Sequence, residues 1–185
     1  MAGIGHNSGL VDEPGKSWRT HVWAKARQQL MPTLPIEVVR RRVARAKELG
    51  LSYKTYAGLR AASGDDLIGF MFSNNALDVL RCTDKVTADK TAKIATLKDT
   101  RTIGLAQAPT TPNQLSPPLQ TAHTAPKPLA PWVKKREHLR NIFAQTGRPS
   151  SRFVLICDTA MEREWAQAGR MAGALPTKSF FEVSQ

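Results

Sequence analysis

Apolar residues recur at helical spacing through several stretches of the chain and run unbroken through two others. Trp18, Val22, Ala26 and Leu30 follow one another every fourth position after Ser17, a residue suited to capping, and Pro32 and Pro35 stop the run. A helix is predicted over 17–31, with Trp18 and Trp23 read as core residues rather than a stacking platform for bases. Ile36, Val39, Val43, Ala46 and Leu49 define a second helix with Pro35 at its first position. Gly50 then reverses the chain, and Ser52 caps a third helix in which Tyr56, Leu59 and Ala62 face inward.

Leu67 to Leu80 fits two elements. As a helix it places Leu67, Phe70, Met71, Leu77 and Leu80 on one face, and that reading is preferred; as a strand, LIGFMF is buried and Ser73 caps a following helix. Residues 83–99 form a polar helix anchored by Val86, Ile94 and Leu97. Residues 107–131 hold seven prolines and a single charged side chain, Lys127, and read as an extended spacer. Beyond it, Trp132, Leu139, Ile142 and Phe143 mark a helix stopped at Gly147, and FVLIC (153–157) is a strand. Thr159 and Glu162 form a capping box for a helix whose buried stripe is Met161, Trp165, Ala168 and Ala172, with SFFEV as a possible last strand.

The expected fold is therefore mainly α with a minor β component, an α+β chain in four parts. A flexible arm covers 1–16, a basic helical domain 17–106, the proline-rich linker 107–131 and a small α/β module 132–185. The arm contains GIGHNSG at 3–9, which resembles the opening segments of small bacterial and phage proteins. Its spacing is GxGxxxG with no preceding strand, so it is not a dinucleotide-binding loop.

Charge turns the helical domain toward a partner. The 185 residues carry 27 Lys and Arg against 15 Asp and Glu, a formal net charge of +12, which favours polyanions. The two cysteines, Cys82 and Cys157, form neither a disulfide framework nor a metal knuckle, which fits a reducing, cytoplasmic setting. No apolar run approaches the length of a membrane span, so no membrane partner is expected.

Over Arg42 to Ala61 the two basic helices resemble the helix-turn-helix of DNA-binding proteins: Ala46 at the helix crossing, Gly50 in the turn between Leu49 and Leu51, then apolar residues at helical spacing. The resemblance implies that Tyr53, Lys54 and Thr55 approach base edges while Arg40, Arg41, Arg42, Arg45, Lys47 and Arg60 meet phosphates. A transcriptional or replication accessory factor follows from it, with DNA as partner and no cofactor. Two other classes stay open. One is a small α/β enzyme or ligand-binding protein with a site at the ends of LIGFMF and FVLIC, where Asn74 and Asp158 would stand; the other is an adaptor in which the proline strip and the Trp165 helix dock a partner, with a protein or a second copy of the chain able to pack on the C-terminal module. The four histidines and the scattered acids show no ligand spacing, acid/base dyad or nucleophile turn, so neither a metal nor a catalytic residue is assigned.

Overall fold

The structure is a computed structural model that describes residues 34–182; the predicted arm and the predicted helix at 17–31 lie outside them. From Arg40 onward the chain forms one compact unit. Its centre is a parallel sheet of β1 (Gly69–Ser73), β2 (Arg101–Ala106), β3 (Thr121–Thr124), β4 (Phe153–Cys157) and β5 (Gly173–Pro176), in the order β3-β2-β1-β4-β5. The helices are α1 (Ile36–Glu48), α2 (Tyr53–Ser63), α3 (Ala88–Ala95), α4 (Pro112–Leu115), α5 (Trp132–Thr146), α6 (Ala160–Ala168) and α7 (Thr177–Phe181). This is an α/β fold built on one sheet. The expected mainly helical chain with a minor β part is overturned.

The alternation of side chains along the strands explains the layers. Phe70 and Phe72 enter one core while Met71 enters the other, and Val154 and Ile156 are likewise separated from Phe153, Leu155 and Cys157. The first core gathers Ala46 of α1 and Leu49 just after it, Tyr56 of α2, Ile94 of α3, Leu115 of α4 and Phe180 of α7. The second gathers Leu139, Ile142 and Phe143 of α5 with Trp165, Ala166 and Ala168 of α6. Because β1 is covered on both faces, all five of its residues are buried, and it shows no polar alternation that would separate it from a buried helix. The helix expected over 67–80 is instead strand β1 and a 3-10 turn at Asn75–Leu77.

The proline-rich stretch is not a spacer outside the fold. Thr111 caps α4 by a reciprocal capping box with Gln114, Pro112 occupies the first turn, and Thr121 to Thr124 pair with Ile103 to Ala106 as the edge of the sheet. The C-terminal module likewise contributes β4 and β5 to that sheet rather than standing apart. SFFEV is not a strand, since Thr177–Phe181 is helical and inserts Phe180 against Phe70 at 4.9 Å and Phe72 at 5.5 Å. In α6 the capping box is present and Trp165 is fully buried, but Met161, expected in the buried stripe, is 47% exposed. Lys135 of α5 is buried and reaches Glu164 at 2.8 Å.

Candidate functional site

Two regions of the fold gather the residues singled out in the sequence. The first is the α1–α2 hairpin. Gly50 takes φ +63° and returns the chain, its N–H donating to Lys47 O at 3.0 Å and that of Leu51 to Ala46 O at 2.9 Å. Ser52 caps α2, its hydroxyl accepting from Thr55 N at 3.1 Å and lying 2.8 Å from the Thr55 hydroxyl. The predicted helices and turn are therefore present, although Ile36 and Val43 of the predicted buried stripe are 67% and 46% exposed, and Ala62, expected to face inward from the second helix, is exposed.

Several residues expected to meet DNA are engaged within the fold. Arg45 bonds Glu48 Oε2 at 2.8 Å, Leu67 O at 3.1 Å and Asp99 O at 3.2 Å, so its guanidinium ties α1 to the start of β1 and the segment before β2. Arg60 pairs with Asp66 at 3.1 Å, and Asp66 also accepts from the Tyr56 hydroxyl at 2.6 Å. Burial, followed by the hydrogen bond to Asp66, raises the Tyr56 phenol above its usual range. The Thr55 hydroxyl is taken up by the cap, and Arg42 is half-buried. Arg40, Arg41, Lys47, Tyr53 and Lys54 are exposed, while the rest of the outer face of α2 is Gly58, Ala61 and Ala62. That face is basic, with few hydrogen-bonding groups of the kind that read base edges.

The second region is a cleft of about 800 Å³ outside the carboxyl ends of β4 and β5. Its position follows from the topology. The chain leaves β1 toward β2 and β3, returns on the other side to β4 and continues to β5, so successive connections diverge between β1 and β4. Asp158 follows β4, Thr177 and Lys178 open α7, Lys90 and Lys93 project from α3, and Asp78 follows the 3-10 turn beyond β1. Lys90 donates to Ala76 O at 2.8 Å and to Asp78 Oδ2 at 2.6 Å, and its ammonium lies 5.2 Å from the centre of the Phe181 ring. The Asp158 side chain is exposed and makes no hydrogen bond or ion pair among the described residues. Thr177 is buried in the wall, with its hydroxyl unpartnered there.

Asn74 does not join Asp158 in this cleft. Its carboxamide oxygen accepts from Gln107 N at 3.1 Å, and its NH2 donates to Val79 O at 2.9 Å, so it locks the ends of β1 and β2 to the turn between them. Lys90, Lys93, Thr177 and Lys178 had no sequence signal tying them to Asp158, because only the strand order brings them together. No family model, curated protein or solved structure matches the chain. Among the described residues no group of three or more His, Cys, Asp or Glu is placed to hold a metal, and no helix is long and apolar enough to cross a membrane.

The two thiols differ in a way that reports on the fold. Cys82 is exposed, whereas Cys157 lies buried at the end of β4, where burial and then the neighbouring Glu162 charge push its pKa up to about 11. Native protein treated with iodoacetamide at about pH 8 is expected to gain one adduct, on Cys82, and a second only in denaturant. Peptide mass mapping checks this, and rapid native labelling of Cys157 would contradict the buried strand. Histidines meet at β3: His138 Nε2 lies 2.7 Å from Thr124 O, and burial, followed by the His138 charge, lowers the His123 pKa.

Proposed function

We propose that the protein binds a small polar ligand in the cleft at the carboxyl ends of β4 and β5. The observation that supports this reading is the convergence of Lys93, Lys178, Asp158 and Thr177 beside the point where the chain's connections diverge, the usual ligand position in open parallel sheets. The two ammonium groups suit an anionic group of the ligand, and the Asp158 carboxylate suits a hydroxyl or amine. Lys90 and Asp78 satisfy each other and form the wall. The reading is one of binding, because the Asp158 carboxylate has no histidine or second acid hydrogen-bonded to it among the described residues, Glu162 accepting only from the Asp158 backbone N–H at 3.0 Å.

A thermal-denaturation panel of sugar phosphates, mononucleotides, hydroxy acids and amino acids tests it. A ligand at a hundred times its Kd adds about 2.7 kcal/mol, which corresponds to a rise of roughly 5–10 °C for a chain of this size. The rise is expected to vanish in Asp158→Ala and Lys178→Ala, both exposed positions that leave the fold intact. If no member of the panel stabilises the protein, or if the stabilisation survives both substitutions, the cleft is not the site.

A further inference from the structure

The cleft leaves the basic hairpin unexplained, and the fold adds to that hairpin charges that are distant in sequence. The α1–α2 turn is met by α3 and by the segment leading to β2. A side chain built at Gly50 would lie 3.6 Å from Lys93 Nζ and 3.4 Å from Leu97 Cδ2, and Lys98 N donates to Glu48 O at 3.2 Å. Arg45 bonds Lys98 O and Asp99 O from the other side, so the backbone that carries Lys98 is tied to α1. Lys47 on the last turn of α1, Lys54 on the first turn of α2, Lys93 and Lys98 therefore surround a single turn, with Arg41 further along α1. Of the nearby acids, Glu48 is neutralised by Arg45, and Asp99 stands against this cluster of lysines.

We infer that this face of α1, α2 and the Lys98 segment is a docking surface for the phosphate backbone of double-stranded DNA, held without base reading. The surface shares Lys93 with the cleft, but Lys47, Lys54 and Lys98 lie outside the cleft's lining and carry the inference without the ligand reading. Lysines on fixed backbone around a rigid turn suit a regular array of phosphates, for which point charges suffice. Single-strand binding would call for aromatic platforms, and the exposed aromatic of the hairpin is Tyr53 alone. Membrane insertion would call for a continuous apolar face, whereas Ala46, Leu49 and Tyr56 of this hairpin are buried in the core and its exposed aliphatic residues, Ile36 and Val43, stand two turns apart on a helix that carries Arg40, Arg41 and Arg42 between them.

The test is fluorescence anisotropy of a labelled 20-base-pair duplex across a sodium chloride series. Wild-type affinity is expected to fall steeply with salt and to differ little between unrelated duplex sequences. Each lost phosphate contact lowers the log–log slope by about 0.9, so the triple variant Lys47→Ala, Lys54→Ala, Lys98→Ala should flatten it by roughly 2–3 and weaken binding at least about tenfold at moderate salt. A charge-matched control, Lys127→Ala, Arg136→Ala, Arg140→Ala, should keep the wild-type slope. Equal loss in the control would mean that only net charge matters, and tighter binding to single-stranded RNA or to vesicles containing phosphatidylserine would assign the surface elsewhere; either result overturns the inference.

Discussion

Replacing Gly69 by valine is expected to cost about 3 kcal/mol or more, the upper end of overpacking penalties, and to leave little soluble protein. Gly69 opens the central strand, where it pairs with Arg101 of β2 on one side and Phe153 of β4 on the other. A Cβ there would stand 2.5 Å from Arg101 O and 2.7 Å from Phe153 Cε1. The first contact is with backbone that carries the β1–β2 ladder, so relief requires the strands to part. Gly58 is the internal control. Nothing lies within 4 Å of a Cβ at that exposed position of α2, and Gly58→Ala should stabilise the protein by up to about 1 kcal/mol through helix propensity. Urea unfolding measures both. A Gly69→Val protein within 1 kcal/mol of wild type would show that the three central strands are not in the stated register.

Arg45→Met carries the second large effect, a loss of about 2–3 kcal/mol, because it leaves the carbonyls of Leu67 and Asp99 without the guanidinium that now serves them. Arg45→Lys should recover little of this, since a single ammonium cannot reach Glu48 and two carbonyls in separate directions at once. The folded fraction of Arg45→Met should retain the wild-type salt dependence for duplex DNA. A stable variant with weakened DNA binding would return Arg45 to the phosphate-contacting role that the helix-turn-helix resemblance implied.

Helices α1, α2, α5 and α6 were legible because their signals are local, whereas α4 lay in the stretch read as a spacer and α7 where a strand was expected. Ser52, Gly50 and the Thr159–Glu162 box act within a few residues of themselves, and each appears at its expected place. FVLIC was readable as a strand because it is continuously apolar, rich in β-branched residues and bounded by turn formers. LIGFMF has the same both-sided burial, but Asp65 and Asp66 before it and Leu77 and Leu80 after it extend a plausible helical stripe. β2 and β3 gave less still. RTIGLA carries a glycine and an exposed arginine, and TAHT is a half-exposed edge strand inside a proline-rich stretch, so pairing with a partner strand rather than composition makes them strands.

The candidate site suffered from the same dependence on pairing. Asp158 could be named from its place after a buried strand, and the structure does set it in a cleft. Asn74 was named by the same logic, yet its amide is spent on Gln107 and Val79. Position at a strand's end says where a side chain starts, and the neighbouring backbone decides whether it remains available. Arginines are subject to the same limit: Arg45 and Arg60 looked like surface charge in a helical pattern, and while Glu48 is a local i,i+3 partner of Arg45, the Leu67 and Asp99 carbonyls and Asp66 lie outside the helices that carry them.

The register of β1 has a consequence for how the chain is made. Its neighbour β4 begins at Phe153, roughly eighty residues downstream of Gly69. A chain still emerging from the ribosome must hold Phe70, Met71 and Phe72 through the synthesis of β2, β3 and α5 before one edge of that strand can close, a wait of several seconds at ordinary elongation rates. Fragments that stop short of Cys157 would present an open apolar edge of β1 to other nascent chains.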